Sequence, residues 1–195
     1  VSIKQIKEKL DEKYDISKFT YSGEEFKKMT YLQLGHFETI DQIEAAKYLG
    51  RLPYADSSRI GIFGWSYGGY MSSLCLLKGN DVFNSAIAVA PVTNWKWYDS
   101  IYTERYMRTT NENSKGYEDN SPINFVDRLT GNYLLVHGNS DDNVHFQNSA
   151  EMSAALIKAN KDFELVVIPG AHHTMGESFG EHKRYDFFVR NLLNT

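Results

Sequence analysis

The chain has 195 residues, 21 basic and 25 acidic, for a net charge of −4. That length supports one domain with a sizeable core, and 42% apolar with 24% charged residues is ordinary globular composition, which excludes a disordered or fibrous chain. No apolar run reaches the roughly 18 residues of a membrane-spanning helix, the acidic balance gives no footprint for nucleic acid, and the single cysteine, Cys75, lies in an apolar run that reads as core.

In chain order, Val1–Lys18 sets Ile3, Ile6 and Leu10 at helical spacing among mixed charges and reads as an amphipathic helix. The chain begins at Val1 rather than methionine, without a signal-peptide pattern, and so reads as a piece of something longer. Tyr21-Ser22-Gly23 marks a break, and a second helix is predicted from Glu24 to Leu34. Thr39, with Gln42 three residues on, reads as a capping box heading a third helix, with Ile43, Ala46, Tyr48 and Leu49 on its inner side. Strands are predicted over Arg59–Phe63, Ala86–Val89, Tyr133–His137 and Phe163–Ile168. Helices are predicted over Gly69–Leu77, Ser149–Ala159 and His182–Leu193, the last with Tyr185, Phe188, Val189 and Leu192 at i, i+3, i+4 and i+7. Strands apolar on both faces and separated by helices imply a parallel sheet covered on both sides, so the fold class is α/β. Asn94–Arg128 interrupts this rhythm as a long irregular insertion rich in Trp, Tyr, Asn and charge, the kind of connection on which substrate sites are built.

Gly64-Trp65-Ser66-Tyr67-Gly68 is a G-x-S-x-G motif between a predicted strand and a predicted helix, the setting of a nucleophile elbow. Gly64 and Gly68 give the turn room, with Gly69 beside them. Ser66 becomes the candidate nucleophile, and the Tyr67 N–H, at a helix N-terminus, the candidate oxyanion donor. A serine nucleophile needs a base and the base an acid, and in this fold they follow in the order Ser, Asp or Glu, His, each past a strand. Asp141-Asp142 and His172-His173 hold those places. A solvated acidic loop or a helix N-cap is the plainer reading of the aspartates. A metal site on the histidines lacks further ligands at metal spacing, so none is expected. His137 reads as a satisfied structural histidine. Trp95, Trp97, Tyr98, Tyr102 and Tyr106, with Arg105 among them, read either as core or as an aromatic box for a flat apolar ring.

Three segments together carry a resemblance: Gly64–Gly69, the run from Trp95 to Met107, and His137–Gln147. From about Glu25 to Leu193 the chain resembles the catalytic domain of the dipeptidyl peptidase IV branch of the prolyl oligopeptidase family of serine peptidases. The resemblance implies an α/β-hydrolase fold, of which residues 23–195 would be a part and residues 1–22 an atypical N-terminal segment. It implies a triad of Ser66, Asp141 and His173, Asn143 and Arg105 near a substrate backbone carbonyl, and a proline-accepting pocket of Tyr67, Val92, Trp95, Tyr98, Tyr102 and Val144. No cofactor or metal is implied. The implied activity is release of N-terminal dipeptides with proline or alanine second, with acylaminoacyl or tripeptidyl peptidases and a catalytically silent piece as alternatives. The family further implies an upstream β-propeller, an upstream half of the sheet, a homodimer, and a periplasmic, secreted or membrane-anchored parent.

Overall fold

The structure is a computed structural model that describes residue 26 and residues 28–193. The helix expected over Val1–Lys18 and the break at Tyr21-Ser22-Gly23 lie outside the described residues. The elements in order are α1 (His36–Gly50), β1 (Gly61–Trp65), α2 (Tyr67–Lys78), β2 (Ser85–Val89), α3 (Ser100–Met107), α4 (Ser114–Asp119), β3 (Asn132–Gly138), α5 (Gln147–Lys158), β4 (Glu164–Ile168) and α6 (Glu177–Phe188). Among the described residues the sheet has four strands in the order β1-β2-β3-β4, every pairing parallel.

The two central strands are buried on both faces. Ala86, Ala88, Tyr133 and Leu135 point into a core shared with Tyr70, Leu74 and Leu77 of α2 and with Met152 and Leu156 of α5. Their alternates Ile87, Val89, Leu134 and Val136 face the other way, against Phe187 and Phe188 of α6. This two-sided burial produces the unbroken apolar runs seen in the sequence. Cys75 is buried in the first core, where desolvation pushes its thiol up to about 12. Among the described residues the two edge strands are less fully covered. Phe63 and Trp65 of β1 stay 37% and 46% exposed on the α6 side, whereas Leu165 and Val167 of β4 are 38% and 39% exposed on the other.

Several predicted boundaries move. Phe26 and Lys28 are helical, but from Met29 the chain turns instead of continuing to Leu34. Leu32 takes a left-handed φ of 66°, and its N–H donates to the Tyr106 carbonyl at 2.7 Å while its own carbonyl accepts from Asn113 Nδ2 at 2.9 Å. Tertiary hydrogen bonds thus override local helix propensity. Helix α1 starts at His36 rather than at Thr39: Glu38 accepts from the Gly35 N–H at 3.0 Å, and the buried Thr39 hydroxyl donates back to the Gly35 carbonyl. Ala46 is buried as expected, but Leu49 is 46% exposed. The first strand begins two residues late, because Arg59 is held outside it by Asp56 Oδ2 at 2.7 Å. The last helix begins earlier and ends in a π-helical turn, Val189–Leu193. Its buried residues are Gly180 and Phe187, while Tyr185, Phe188, Val189 and Leu192 border a groove of about 450 Å³ beside Gly61 at the start of β1.

The insertion Asn94–Arg128 is not irregular. It is a string of short helices: Trp95–Trp97, α3, α4 and Pro122–Arg128. The first three each open on a side-chain cap, Asn94 accepting from the Lys96 N–H, Asp99 from Tyr102 and Asn113 from Gly116, and the fourth opens on Pro122.

Phe187 is the large buried side chain that α6 brings to the sheet, so Phe187→Ala is expected to destabilise the chain by about 3–5 kcal/mol, with Phe187→Leu costing distinctly less. Denaturant melts of the two variants check this.

Candidate active site

Parallel pairing in register brings the carboxyl ends of all four strands to one end of the sheet, where ligand sites of open α/β sheets form. Ser66 follows β1, Val92 and Trp95 follow β2, Asp141 follows β3 and His173 follows β4.

Ser66 has φ 60° and ψ −119°, a strained conformation for a residue with a side chain. Such strain costs about 1–3 kcal/mol and persists only where the surroundings enforce it. Here the Ser66 N–H donates to the Val89 carbonyl at 2.8 Å, and the Ser66 carbonyl accepts from the Tyr70 N–H at 3.0 Å. The turn is pinned to β2 on one side and to the first turn of α2 on the other. Close approach falls on Gly64 and Gly69 rather than on Gly64 and Gly68. A Cβ on Gly64 would lie 2.0 Å from the Gly68 carbonyl oxygen and one on Gly69 2.7 Å from the Val89 oxygen, whereas one on Gly68 meets nothing within 4 Å among the described residues. The Ser66 side chain makes no capping bond, so the first N–H groups of α2, beginning with Tyr67, remain without helical partners.

Asp141 and His173 meet across two loops. His173 Nδ1 lies 2.7 Å from Asp141 Oδ2, and Oδ1 accepts the N–H groups of Asn143 at 2.9 Å and Val144 at 3.0 Å. The Asp141 side chain is fully buried and that of His173 is 20% exposed. A carboxylate only accepts, so the His173 proton sits on Nδ1 and leaves Nε2 with the lone pair. The loops are laced together: the Ser140 N–H donates to the Ala171 carbonyl at 3.0 Å, the Asn139 N–H to Ile168, and the Gly170 N–H to Asn139 Oδ1. A Cβ on Gly138 would strike the carbonyls of Ala171 and His172 at 2.3 and 2.4 Å. The ring of Trp65, adjacent to Ser66, stands 5.5 Å from that of His173, which sets the imidazole beside the Ser66 turn. The two histidines diverge, since His172 is exposed with its Nδ1 3.7 Å from Asp142.

The aromatic residues form one cluster. Trp95 stacks on Tyr102 at 5.9 Å and meets Tyr98 edge-on, Tyr98 meets Tyr102 edge-on at 5.3 Å, and Tyr106 continues the row at 5.0 Å from Tyr102. Tyr67 joins from α2 at 5.9 Å from Trp95. Trp95, Val92 and Val144 are buried, and Tyr67, Tyr98 and Tyr102 are half-buried. Trp97 makes no ring contact with the cluster among the described residues. The Tyr98 hydroxyl donates to Asn143 Oδ1 at 2.8 Å, tying the cluster to the Asp141 loop, while Arg105 is exposed with its guanidinium 5.8 Å from the Tyr106 ring centre.

Tyr70 and Glu38 carry no signal in the sequence, and His137 carries only a structural reading there. Tyr70 packs against Tyr67 and Trp95, its hydroxyl shared between the carbonyls of Leu34 and Asn120. Glu38 accepts the Tyr67 hydroxyl at 2.8 Å, and burial, then the Glu38 carboxylate, hold that phenol far above its ordinary range. His137 brings a second imidazole to Asp141, Nε2 to Oδ2 at 3.3 Å. Its place four residues before Asp141 was the one available signal; nothing in the local sequence marks Glu38.

The family model described as "Prolyl oligopeptidase family" matches residues 19–195, and the chain belongs to that family. It is 41% identical over 168 residues to "Dipeptidyl peptidase 4" of Bos taurus, a match covering 85% of this chain and 22% of that protein. It is also 41% identical over 165 residues to "Prolyl endopeptidase FAP" of Bos taurus, covering 83% of this chain and again 22% of the relative. The crystal structure of Porphyromonas gingivalis dipeptidyl peptidase 4 superposes with a TM-score of 0.84 at 46% identity, over 87% of this chain and 25% of that one. The fold is therefore that of an α/β-hydrolase domain, and the chain spans about a quarter or less of the length of these relatives.

Two outcomes follow for stability. Gly64→Ala is expected to destabilise by about 3 kcal/mol or more, because the colliding atom is backbone, while Gly68→Ala, inside a helix, should be neutral or gain about 0.5–1 kcal/mol. Thermal melts of both check it, and equal losses would contradict the assignment of close approach. Burial lowers the His137 pKa below its ordinary 6.5 despite the facing Asp141. Folded chain then binds fewer protons than unfolded chain, so this contribution is full above pH 6.5 and falls away as the pH drops below it. His137→Gln should flatten melting temperature against pH between 7.5 and 5.5, a window of about one unit either side of that value.

Proposed function

We propose that this member of the prolyl oligopeptidase family supplies the catalytic centre of a serine exopeptidase releasing N-terminal dipeptides that end in proline or alanine. The observation that carries the reading is the buried Asp141 carboxylate on His173 Nδ1, beside a strained serine turn. Ser66 Oγ attacks the carbonyl of the second residue, and His173 Nε2 takes the hydroxyl proton and returns it to the leaving amine. Asp141 orients the ring and stabilises the imidazolium, and the Tyr67 N–H donates to the oxyanion. Water then attacks the acyl-enzyme by the same route.

The cluster of Tyr67, Trp95, Tyr98 and Tyr102, backed by Val92 and Val144, offers ring faces to a pyrrolidine without asking for a charge partner. Because Asn143 Oδ1 already accepts from Tyr98, its amide N–H groups stay available to the carbonyl of the N-terminal residue, and the family resemblance adds Arg105 to that contact. Parts outside the chain complete the enzyme. β1 pairs on one side only among the described residues, and grooves of about 450 and 250 Å³ flank its start. Upstream strands cover this edge in the whole protein, and a propeller grips the substrate amine.

A second reading, cleavage after an internal proline, is favoured by the equal likeness to a relative named a prolyl endopeptidase. The aromatic box serves both, since the choice depends on groups that hold the free amine.

The first test is intact mass after fluorophosphonate treatment. One adduct is expected, absent in Ser66→Ala, and an adduct that persists in that variant overturns the assignment. Asp141→Asn should slow acylation on the order of 10⁴-fold. On the whole enzyme, chromogenic substrates with a free or acetylated amine separate the two readings: cleavage confined to the free dipeptidyl substrate supports the exopeptidase.

A further inference from the structure

The His137 ring ends β3 and is wholly buried. Its Nε2 lies 2.8 Å from the Val144 carbonyl and its Nδ1 2.7 Å from Ser149 Oγ. A carbonyl oxygen can only accept, so Nε2 carries the proton. In a neutral ring Nδ1 then has the lone pair, and the Ser149 hydroxyl must donate to it. The tautomer is fixed from both ends. The same Nε2–H also faces Asp141 Oδ2 at 3.3 Å. Asp141 is thus surrounded: His173 and His137 on Oδ2, the backbone of Asn143 and Val144 on Oδ1. The ring of Phe146 stands edge-on to that of His137 with centres 5.6 Å apart.

We propose that His137 is a positioning residue for the reaction: through its fixed Nε2–H it holds Asp141 Oδ2 and the Val144 carbonyl in place, so that the carboxylate stays aligned with His173 Nδ1. The inference rests on the reading of Ser66, His173 and Asp141 as a triad. Val144 donates its N–H to Asp141 Oδ1 and offers its carbonyl to His137, so acid, loop and second imidazole close a ring of contacts. The neutrality of His137 belongs to the same arrangement. The titratable groups facing it are Asp141 and His173, and burial keeps it uncharged between them. A dipole therefore orients Asp141, and the full carboxylate charge is left for the imidazolium that forms on His173.

The test uses the whole 195-residue chain, labelled with ¹⁵N-histidine, with His137→Leu and His137→Gln. In the unaltered chain His137 is expected as the neutral Nε2–H tautomer and His173 with a low-field Nδ1 proton. His137→Leu should shift or broaden that proton. It should also slow maximal fluorophosphonate acylation about 10–100-fold, the range for lost outer partners of a functional group, with the half-saturating concentration changed less than about twofold. Glutamine, which keeps a donor and an acceptor, should restore both readouts most of the way. Should the leucine variant fail to fold, Ser149→Ala keeps the ring, frees its tautomer, and is expected to broaden the same His173 proton. A folded His137→Leu, or failing that Ser149→Ala, with an unchanged His173 proton overturns the proposal. Absence of acylation in the unaltered chain would say that the upstream part is needed to align Ser66, and the His173 proton, which does not depend on acylation, then decides the proposal.

Discussion

A buried carboxylate is tolerable only if donors replace the water it has lost, since stripping such an ion of solvent costs several kcal/mol even after relaxation. Asp141 is the fully buried acid around which the carboxyl end of the sheet is arranged, and its donors come from three places. Asn143 and Val144 belong to its own loop, His137 to the end of β3, and His173 to the loop after β4. Their convergence requires the two loops to lie against each other, which is why the Ser140 N–H reaches the Ala171 carbonyl and why Gly138 has no room for a side chain. Satisfaction of one charge thereby dictates the path of two loops, the tautomer of His173 and the free nitrogen it presents.

Ser66 obeys a different constraint. Its backbone is held against its preference by covalent continuity between β1 and α2 and by the bond to Val89 on the neighbouring strand. The glycines Gly64 and Gly69 remove the atoms that would otherwise forbid so close an approach. The aromatic rings of the insertion belong partly to the core. Trp95 is buried among Tyr67, Tyr70, Tyr98 and Tyr102, so packing that stabilises the insertion also fixes the outward half-buried faces.

Four strands, their parallel arrangement and the helices α2 and α5 were legible because two-sided burial leaves unbroken apolar runs between helical patterns. Ser66, Asp141 and His173 stand out in the sequence because strand ends fix where such groups emerge, and in the fold His173 Nδ1 lies 2.7 Å from Asp141 Oδ2. The failures share one cause, which is contact distant in sequence. The turn at Leu32 is set by Tyr106 and Asn113, and the inner residue of α6 is Phe187 rather than the stripe at Tyr185 and Val189, which lies toward the edge of β1. Gly68 was credited with a close approach that Gly69 makes, since a motif records which residues recur and not which atoms would collide. His137 reads as a satisfied structural histidine, and both its ring nitrogens do find partners in the fold.

The two halves of the site differ in what supports them. Asp141 and His137 hang from β3, paired on both sides, and His173 is laced to them by loop contacts within the chain. Ser66 hangs from β1, which among the described residues has one neighbour and whose outer residues Phe63 and Trp65 remain part-exposed. Opening at an edge strand takes less free energy than opening at a central one, because fewer hydrogen bonds and less apolar surface are lost. His173 is held to Asp141 by loop contacts within the chain, although β4, like β1, has one neighbour among the described residues, whereas Ser66 rests on β1 and on its bond to Val89.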